Sequence, residues 1–103
     1  MAIHLFVVRA TITKEKEAAF NHWYNTDHAP KVLQFNGAVS ARRYRKIMGN
    51  DKYEYMAVYE FASKEAFDRF QASDHLKQLR KEYDAEFGST SEREGFGYEQ
   101  IWP

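Results

Sequence analysis

The sequence predicts an α+β domain of order β-α-β-β-α-β, with a four-stranded antiparallel sheet and both helical segments on one of its faces. Three observations carry that expectation. Four short runs rich in branched and aromatic residues read as strands, and two longer stretches with apolar residues at helical spacing separate them. Only the turn signal Gly49-Asn50-Asp51 divides the middle two runs, so they form a hairpin. Finally, Ala19-Phe20-x-x-Trp23-x-x-Thr26-Asp27-His28 is echoed by Ala66-Phe67-x-x-Phe70-x-x-Ser73-Asp74-His75, one copy in each β-α-β half. Such an echo is what a split β-α-β, ferredoxin-like fold with pseudo-two-fold symmetry produces.

The elements follow in order. Ile3 to Arg9 is a strand, apolar on both faces apart from His4, and such a strand is covered on both faces. Thr11 and Thr13 are placed to cap a helix from about Lys14. Ala19, Phe20, Trp23 and Tyr24 make its buried stripe. The helix is expected to break at Thr26-Asp27-His28 and to restart around Pro30, with Asp27 or Thr26 capping the new turn. Asn36-Gly37 turns the chain into a second strand, Ala38 to Ile47. In the third strand, Lys52 to Phe61, Tyr53, Tyr55, Ala57, Tyr59 and Phe61 share one face. Ser63 caps the next helix, with Phe67 and Phe70 inward. Ser73-Asp74-His75 marks another break, with Asp74 or Ser73 capping the turn that follows, after which Leu76, Leu79, Tyr83 and Phe87 continue at helical spacing. Glu94 to Trp102 is the last strand.

A chain of 103 residues is expected to make one domain, 1–103. The 15 basic and 15 acidic residues cancel, which argues against nucleic acid or an anionic membrane as partner. Cysteine is absent, so disulfides, thiolate metal sites and a thiol nucleophile are excluded. No run approaches membrane-spanning length and no signal peptide is evident, so a cytoplasmic protein is expected. The unusual quantity is the aromatic content, with 8 Phe, 7 Tyr and 2 Trp. An aromatic surplus in so small a chain points to a second buried surface, either a subunit interface or a ligand cavity. The open face of the sheet is the natural interface, and two such sheets face to face make a homodimeric α+β barrel.

Trp23-Tyr24-x-x-x-His28-Ala29-Pro30, then Gly37, then Arg43-Tyr44, resembles the EthD-like branch of the dimeric α+β barrel superfamily. The likeness covers the first half well and the second mainly in element order. Asn36 stands where that branch usually has proline before the glycine. The resemblance implies the fold and a homodimer. It also implies relatives that are lactone isomerases, polyketide cyclases and dehydratases, and cofactor-free monooxygenases.

Within that frame His28 is the candidate general acid/base, kept neutral by the backbone N–H groups of a helix start. Tyr44 is the candidate group to hold a substrate oxygen, converging with His28 on one ligand. Trp23, Tyr55 and Tyr59 are expected to line the cavity, the two tyrosines together. His75 occupies the echo position of His28. Because the helices run antiparallel, it is expected at the opposite end of the sheet, and a ligand-binding role is open to it. Of Arg42 and Arg43 one points inward; Arg42 is the candidate to bind a ligand carboxylate or to pair with Glu54 or Glu60. The histidines lack ligand spacing, and no phosphate-cradling glycine loop is present, so neither metal nor nucleotide cofactor is expected. The leading expectation is a cofactor-free enzyme of cyclase, dehydratase or isomerase type acting on a small apolar or aromatic carbonyl compound. The alternatives are a monooxygenase, cofactor-free or haem-using, and a non-catalytic ligand-binding or structural dimer.

Overall fold

The computed structural model describes residues 2–103. Strand β1 (His4–Ala10) lies in the middle of an antiparallel sheet of order β2-β3-β1-β4, with β2 (Ala38–Arg45), β3 (Tyr55–Phe61) and β4 (Arg93–Glu99). The expected β-α-β-β-α-β order and hairpin are both present. In β3 the alternation is complete: Tyr55, Ala57, Tyr59 and Phe61 are buried against the helices, whereas Met56, Val58 and Glu60 face the other side. Strands two, three and four are shorter than their sequence signals. The chain between β2 and β3 is an irregular loop, held at its root by the backbone bond from Lys46 N to Glu54 O (2.7 Å).

The first helical segment departs from expectation. Helix α1 (Glu17–Trp23), a π-helical turn (Tyr24–His28) and helix α2 (Ala29–Leu33) follow one another without a break. Trp23, Tyr24, His28 and Ala29 all keep right-handed helical backbone angles. Thr26 caps nothing; its hydroxyl donates back to the carbonyl of His22 (2.7 Å), and Asp27 instead pairs with Lys31 (3.1 Å). A packing reason accounts for the π turn. Phe20, Tyr24, His28 and Val32 are all buried, at a strict four-residue spacing. At 3.6 residues per turn such a stripe drifts by about 40° per step, and a wider turn takes up the drift. Ala19, expected inside, is exposed.

The second segment does break. Helix α3 (Lys64–Gln71) ends before helix α4 (Asp74–Phe87), and Ser73 caps α4 by accepting from Leu76 N (3.0 Å). The two Asp-His sequences therefore have different structures, and the internal echo is not a structural repeat. The turn at Gly37 is as expected. Its φ is +108°, and a Cβ there would lie 2.6 Å from the Cβ of Ala66, so only glycine lets α3 pack so closely.

The core lies between the sheet and the helices and is largely aromatic. Phe20 packs edge-on against Tyr24, Tyr83 and Phe87, and Phe70 meets Phe6, Phe35 and Phe61. Most of the aromatic surplus is thus absorbed by this one core and not by the open face, contrary to the sequence argument. The open face carries Val7, Val58 and Met56 at its centre, with the stacked pair Phe96–Tyr98 (6.5 Å) beside them. Tyr44 and Tyr98 are about half exposed, at 49% and 47%.

Candidate functional site

The π turn delivers His28 into the core, where 8% of it is exposed. Its ring stacks on Trp23 (4.6 Å between centroids, 23° between planes) and is met edge-on by Tyr24 (4.9 Å) and Tyr83 (5.7 Å). Burial pushes its pKa down from 6.5 to about 4. Glu82 and Asp27 oppose the shift, while Arg93 and Lys31 add to it. The imidazole is therefore neutral at pH 7, as expected, but for another reason: no helix starts there, and desolvation does what a helix terminus was expected to do. His28 Nδ1 is buried with no hydrogen-bond partner.

His28 lines a cavity of about 40 Å³ with Tyr24, Tyr59, Phe70, Leu79 and Tyr83. That space suits about one water molecule. The Tyr59 hydroxyl is a second buried polar atom without a well-formed hydrogen bond, its nearest polar neighbour being the Tyr24 phenol. Burial holds the phenols of Tyr24 and Tyr59 well above the ordinary tyrosine range, so both remain protonated donors. Arg93 from β4 also lines the cavity; its guanidinium stacks on Tyr83 (4.0 Å) and pairs with Asp84 (2.8 Å).

A second concavity, about 750 Å³, opens between α1–α2 and the edge strand β2. A one-residue irregularity between Ala38 and Ser40 sets the phase of β2, so that Ala41, Arg43 and Arg45 face the helices while Ser40, Arg42 and Tyr44 take the open side. The Arg43 guanidinium lies 4.3 Å from the centre of the Tyr24 ring. It donates from Nη1 to Asn25 Oδ1 (2.9 Å) and from Nη2 to Asn21 Oδ1 (3.0 Å), while its Nε is buried without a partner. Tyr24 is thus the wall between the two spaces, with His28 on one side and Arg43 on the other.

The sequence candidates divide between these places. His28 and Tyr59 meet at the inner cavity, and Trp23 supports the outer face of the His28 ring. Tyr44 and Tyr55 line the outer cleft. His28 and Tyr44 therefore do not converge, because β2 is the edge strand and His28 points towards β1 and β3. Tyr55 and Tyr59 share a face but not a cavity. The Tyr55 hydroxyl donates to Glu17 Oε2 (2.6 Å) and accepts from Asn21 Nδ2 (3.2 Å).

His75 is an anchor: its Nε2 donates to the carbonyl of Lys31 (2.7 Å), and its ring lies against Phe35 and Phe70. That carbonyl is one helical turn beyond His28, so His75 is not at the far end of the sheet. Arg42 turns to the open side and pairs with Glu60 (2.9 Å), one of its two expected partners. The inward arginine is Arg43. Tyr24 and Tyr83 read in the sequence as core residues on stripes of three- and four-residue spacing, and nothing in that spacing marks their part in the cavity. Nothing local marked Arg93, whose position depends on the pairing of β4 with β1. Among the described residues no three His, Asp or Glu side chains gather to hold a metal ion, and no helix is long and apolar enough to cross a membrane.

A family model matches residues 3–92 of the chain. The chain belongs to that family, described as Domain of unknown function (DUF4286). No curated protein matches it. Among solved structures it resembles an EthD family protein from Bacillus halodurans, 20% identical over 98% of this chain and 100% of that one, with a TM-score of 0.72. A DABB family protein with a ferredoxin-like fold from Mesorhizobium loti is 16% identical over 99% and 100%, with a TM-score of 0.74. SnoaB, a cofactor-independent oxygenase from Streptomyces nogalater, is 18% identical over 100% and 97%, with a TM-score of 0.66. At these identities the likeness establishes the ferredoxin-like fold, and the EthD-like resemblance is met by an EthD protein of the same fold.

Proposed function

We propose that this protein is a cytoplasmic, homodimeric, cofactor-free enzyme acting on a small apolar or aromatic carbonyl compound by proton transfer at His28. The observation that carries the reading is the pairing of an unpartnered neutral imidazole nitrogen with a buried tyrosine hydroxyl at one aromatic-walled cavity. A base with no protein partner, and an acid whose one polar neighbour is the Tyr24 phenol, are available to a ligand. His28 removes a proton from the carbon beside a carbonyl, and the Tyr59 hydroxyl donates a hydrogen bond to the oxygen as it gains charge. Return of the proton elsewhere gives isomerisation, and loss of water or attack on a second carbonyl gives dehydration or cyclisation. The cavity as it stands admits one water, so the catalytic reading requires the Tyr24–Arg43 wall to give way before the reacting end of a substrate can reach His28. Tyr44, at the rim of the outer cleft, is assigned to ligand binding and not to proton transfer. The homodimer forms through the open sheet face, where Val7, Val58 and Phe96 lie together.

The test is exchange of the α-protons of 2-tetralone in deuterated buffer, followed by NMR. The protein accelerates exchange, and His28→Ala loses roughly 10²–10⁴ of that acceleration while the protein stays folded. An unchanged rate in His28→Ala removes His28 from the mechanism.

One observation favours a second reading, that of a monooxygenase. The aromatic-walled space of about 40 Å³ is large enough for a diatomic molecule such as dioxygen. The carbanion left by proton removal would itself supply the electrons that reduce O₂. Stoichiometric oxygen uptake with an aromatic carbonyl substrate, abolished by His28→Ala, would select this reading over the isomerase or cyclase.

A further inference from the structure

We infer that the outer cleft between α1–α2 and β2 is a binding site for a small organic carboxylate with an apolar body, its carboxylate held by Arg43 and Arg45. The proposal concerns a site on the other side of Tyr24 from the His28 cavity and stands without the catalytic reading. Arg43 and Arg45 are two apart on the same face of β2, and both line the cleft. The arginine ion pairs of the described residues belong to Arg9, Arg42, Arg69 and Arg93; neither Arg43 nor Arg45 is among them.

Arg43 is half-buried, and its only polar partners are the neutral amide oxygens of Asn21 and Asn25. Those amides fix the plane of the guanidinium without neutralising it. Each Nη has one N–H committed to an asparagine, which leaves the other for a ligand. A sheltered cation normally has a carboxylate beside it, because leaving water costs more than neutral hydrogen bonds return. Burial accordingly pushes the Arg43 pKa down. The lining of the cleft supplies two cations and no carboxylate; Glu17, behind Tyr55, is engaged by the Tyr55 hydroxyl.

The rest of the lining describes the remainder of the ligand. Ala29, Pro30, Leu33 and Ala41 form an apolar wall beside the two arginines, and Leu33 is 42% exposed although it lies inside a concavity. The cleft is open to solvent along one side, and its space of about 750 Å³ has room for a ligand of drug size lying against the apolar wall. A planar guanidinium matches a carboxylate edge to edge, and an apolar wall rewards a hydrophobic body, so an aromatic or branched-chain acid fits where acetate would not.

The experiment is calorimetric titration with 2-naphthoate, and with 2-naphthalenemethanol as its neutral counterpart. Saturable one-to-one binding of naphthoate is expected, with the alcohol weaker by roughly tenfold or more. The decisive variant is Asn25→Asp. Asn25 Oδ1 already accepts from Arg43, so the substitution keeps the geometry and places a carboxylate where the ligand's charge is needed. It should leave the protein folded and at least as heat-stable, yet weaken naphthoate roughly tenfold or more. Arg45→Gln, at an exposed position, should weaken binding as well and serves if Asn25→Asp does not fold. Equal affinity for acid and alcohol, no heat with naphthoate, or unaltered affinity in a folded Asn25→Asp protein would overturn the assignment.

Discussion

Acidification should destabilise this protein through His28 by an amount that the structure defines. The imidazole titrates near 6.5 in an unfolded chain and, held among Trp23, Tyr24 and Tyr83, at about 4 in the folded one. The folded-state value is depressed, so the unfolded state binds the proton first as pH falls. Above about pH 6.5 both states are neutral at this position and nothing is lost. Between 6.5 and 4 the unfolded state alone gains a proton, and stability falls by about 1.4 kcal/mol per pH unit, reaching about 2 kcal/mol by pH 5 and about 3 kcal/mol by pH 4. Below pH 4 the loss levels off. The assay is urea unfolding from pH 8 to pH 4, comparing the protein with His28→Gln, which fills similar space and does not titrate. The other histidines and the carboxylates are common to both proteins, so the difference between the two curves isolates His28. From pH 7 to pH 4 the parent should lose about 3 kcal/mol relative to His28→Gln, whatever their separation at pH 7. Parallel curves, or a His28 ring that titrates near 6.5 by NMR, would refute the claim that a neutral imidazole is sealed in this core.

Other outcomes follow from single contacts. Ser73→Ala should cost about 1 kcal/mol of stability, because it removes the acceptor for Leu76 N at the start of α4, whereas Thr26→Ala should fall within about 0.5 kcal/mol of the parent, since Thr26 caps nothing; thermal unfolding of both variants checks the contrast. Gly37→Ala combines a positive φ with an approach of 2.6 Å to Ala66 and should destabilise by roughly 2–3 kcal/mol in urea unfolding. Sedimentation at micromolar concentration should find a dimer, and Val58→Lys at the centre of the open face should return it to a folded monomer. A parent protein that sediments only as a monomer would remove the homodimer from the reading.

Much of this fold was legible in the residues because its signals are local. Strand alternation in Tyr55 to Phe61, the helical spacing of Leu76, Leu79, Tyr83 and Phe87, the Ser63 and Ser73 caps and the glycine turn at Gly37 each depend on neighbours within a few positions. Together they specify element order, and element order with antiparallel pairing nearly specifies a ferredoxin-like sheet. His28 was recognisable as a candidate for the same reason, at a fixed offset from aromatics on its own helix. What tertiary structure alone decided were choices between near-equal local options. Thr26-Asp27-His28 has the composition of a cap, but burying Phe20, Tyr24, His28 and Val32 on one face outweighs capping and draws the chain into a π turn. Arg42 and Arg43 are interchangeable by pattern, and the irregularity at Val39 gives Arg43 the inner face. The separation of His28 from Tyr44 follows from strand order, which puts β2 at the edge and β1 in the middle. Those outcomes rest on contacts between residues far apart in the chain, where the burial of an aromatic core exceeds the few tenths of a kcal/mol that local preference contributes.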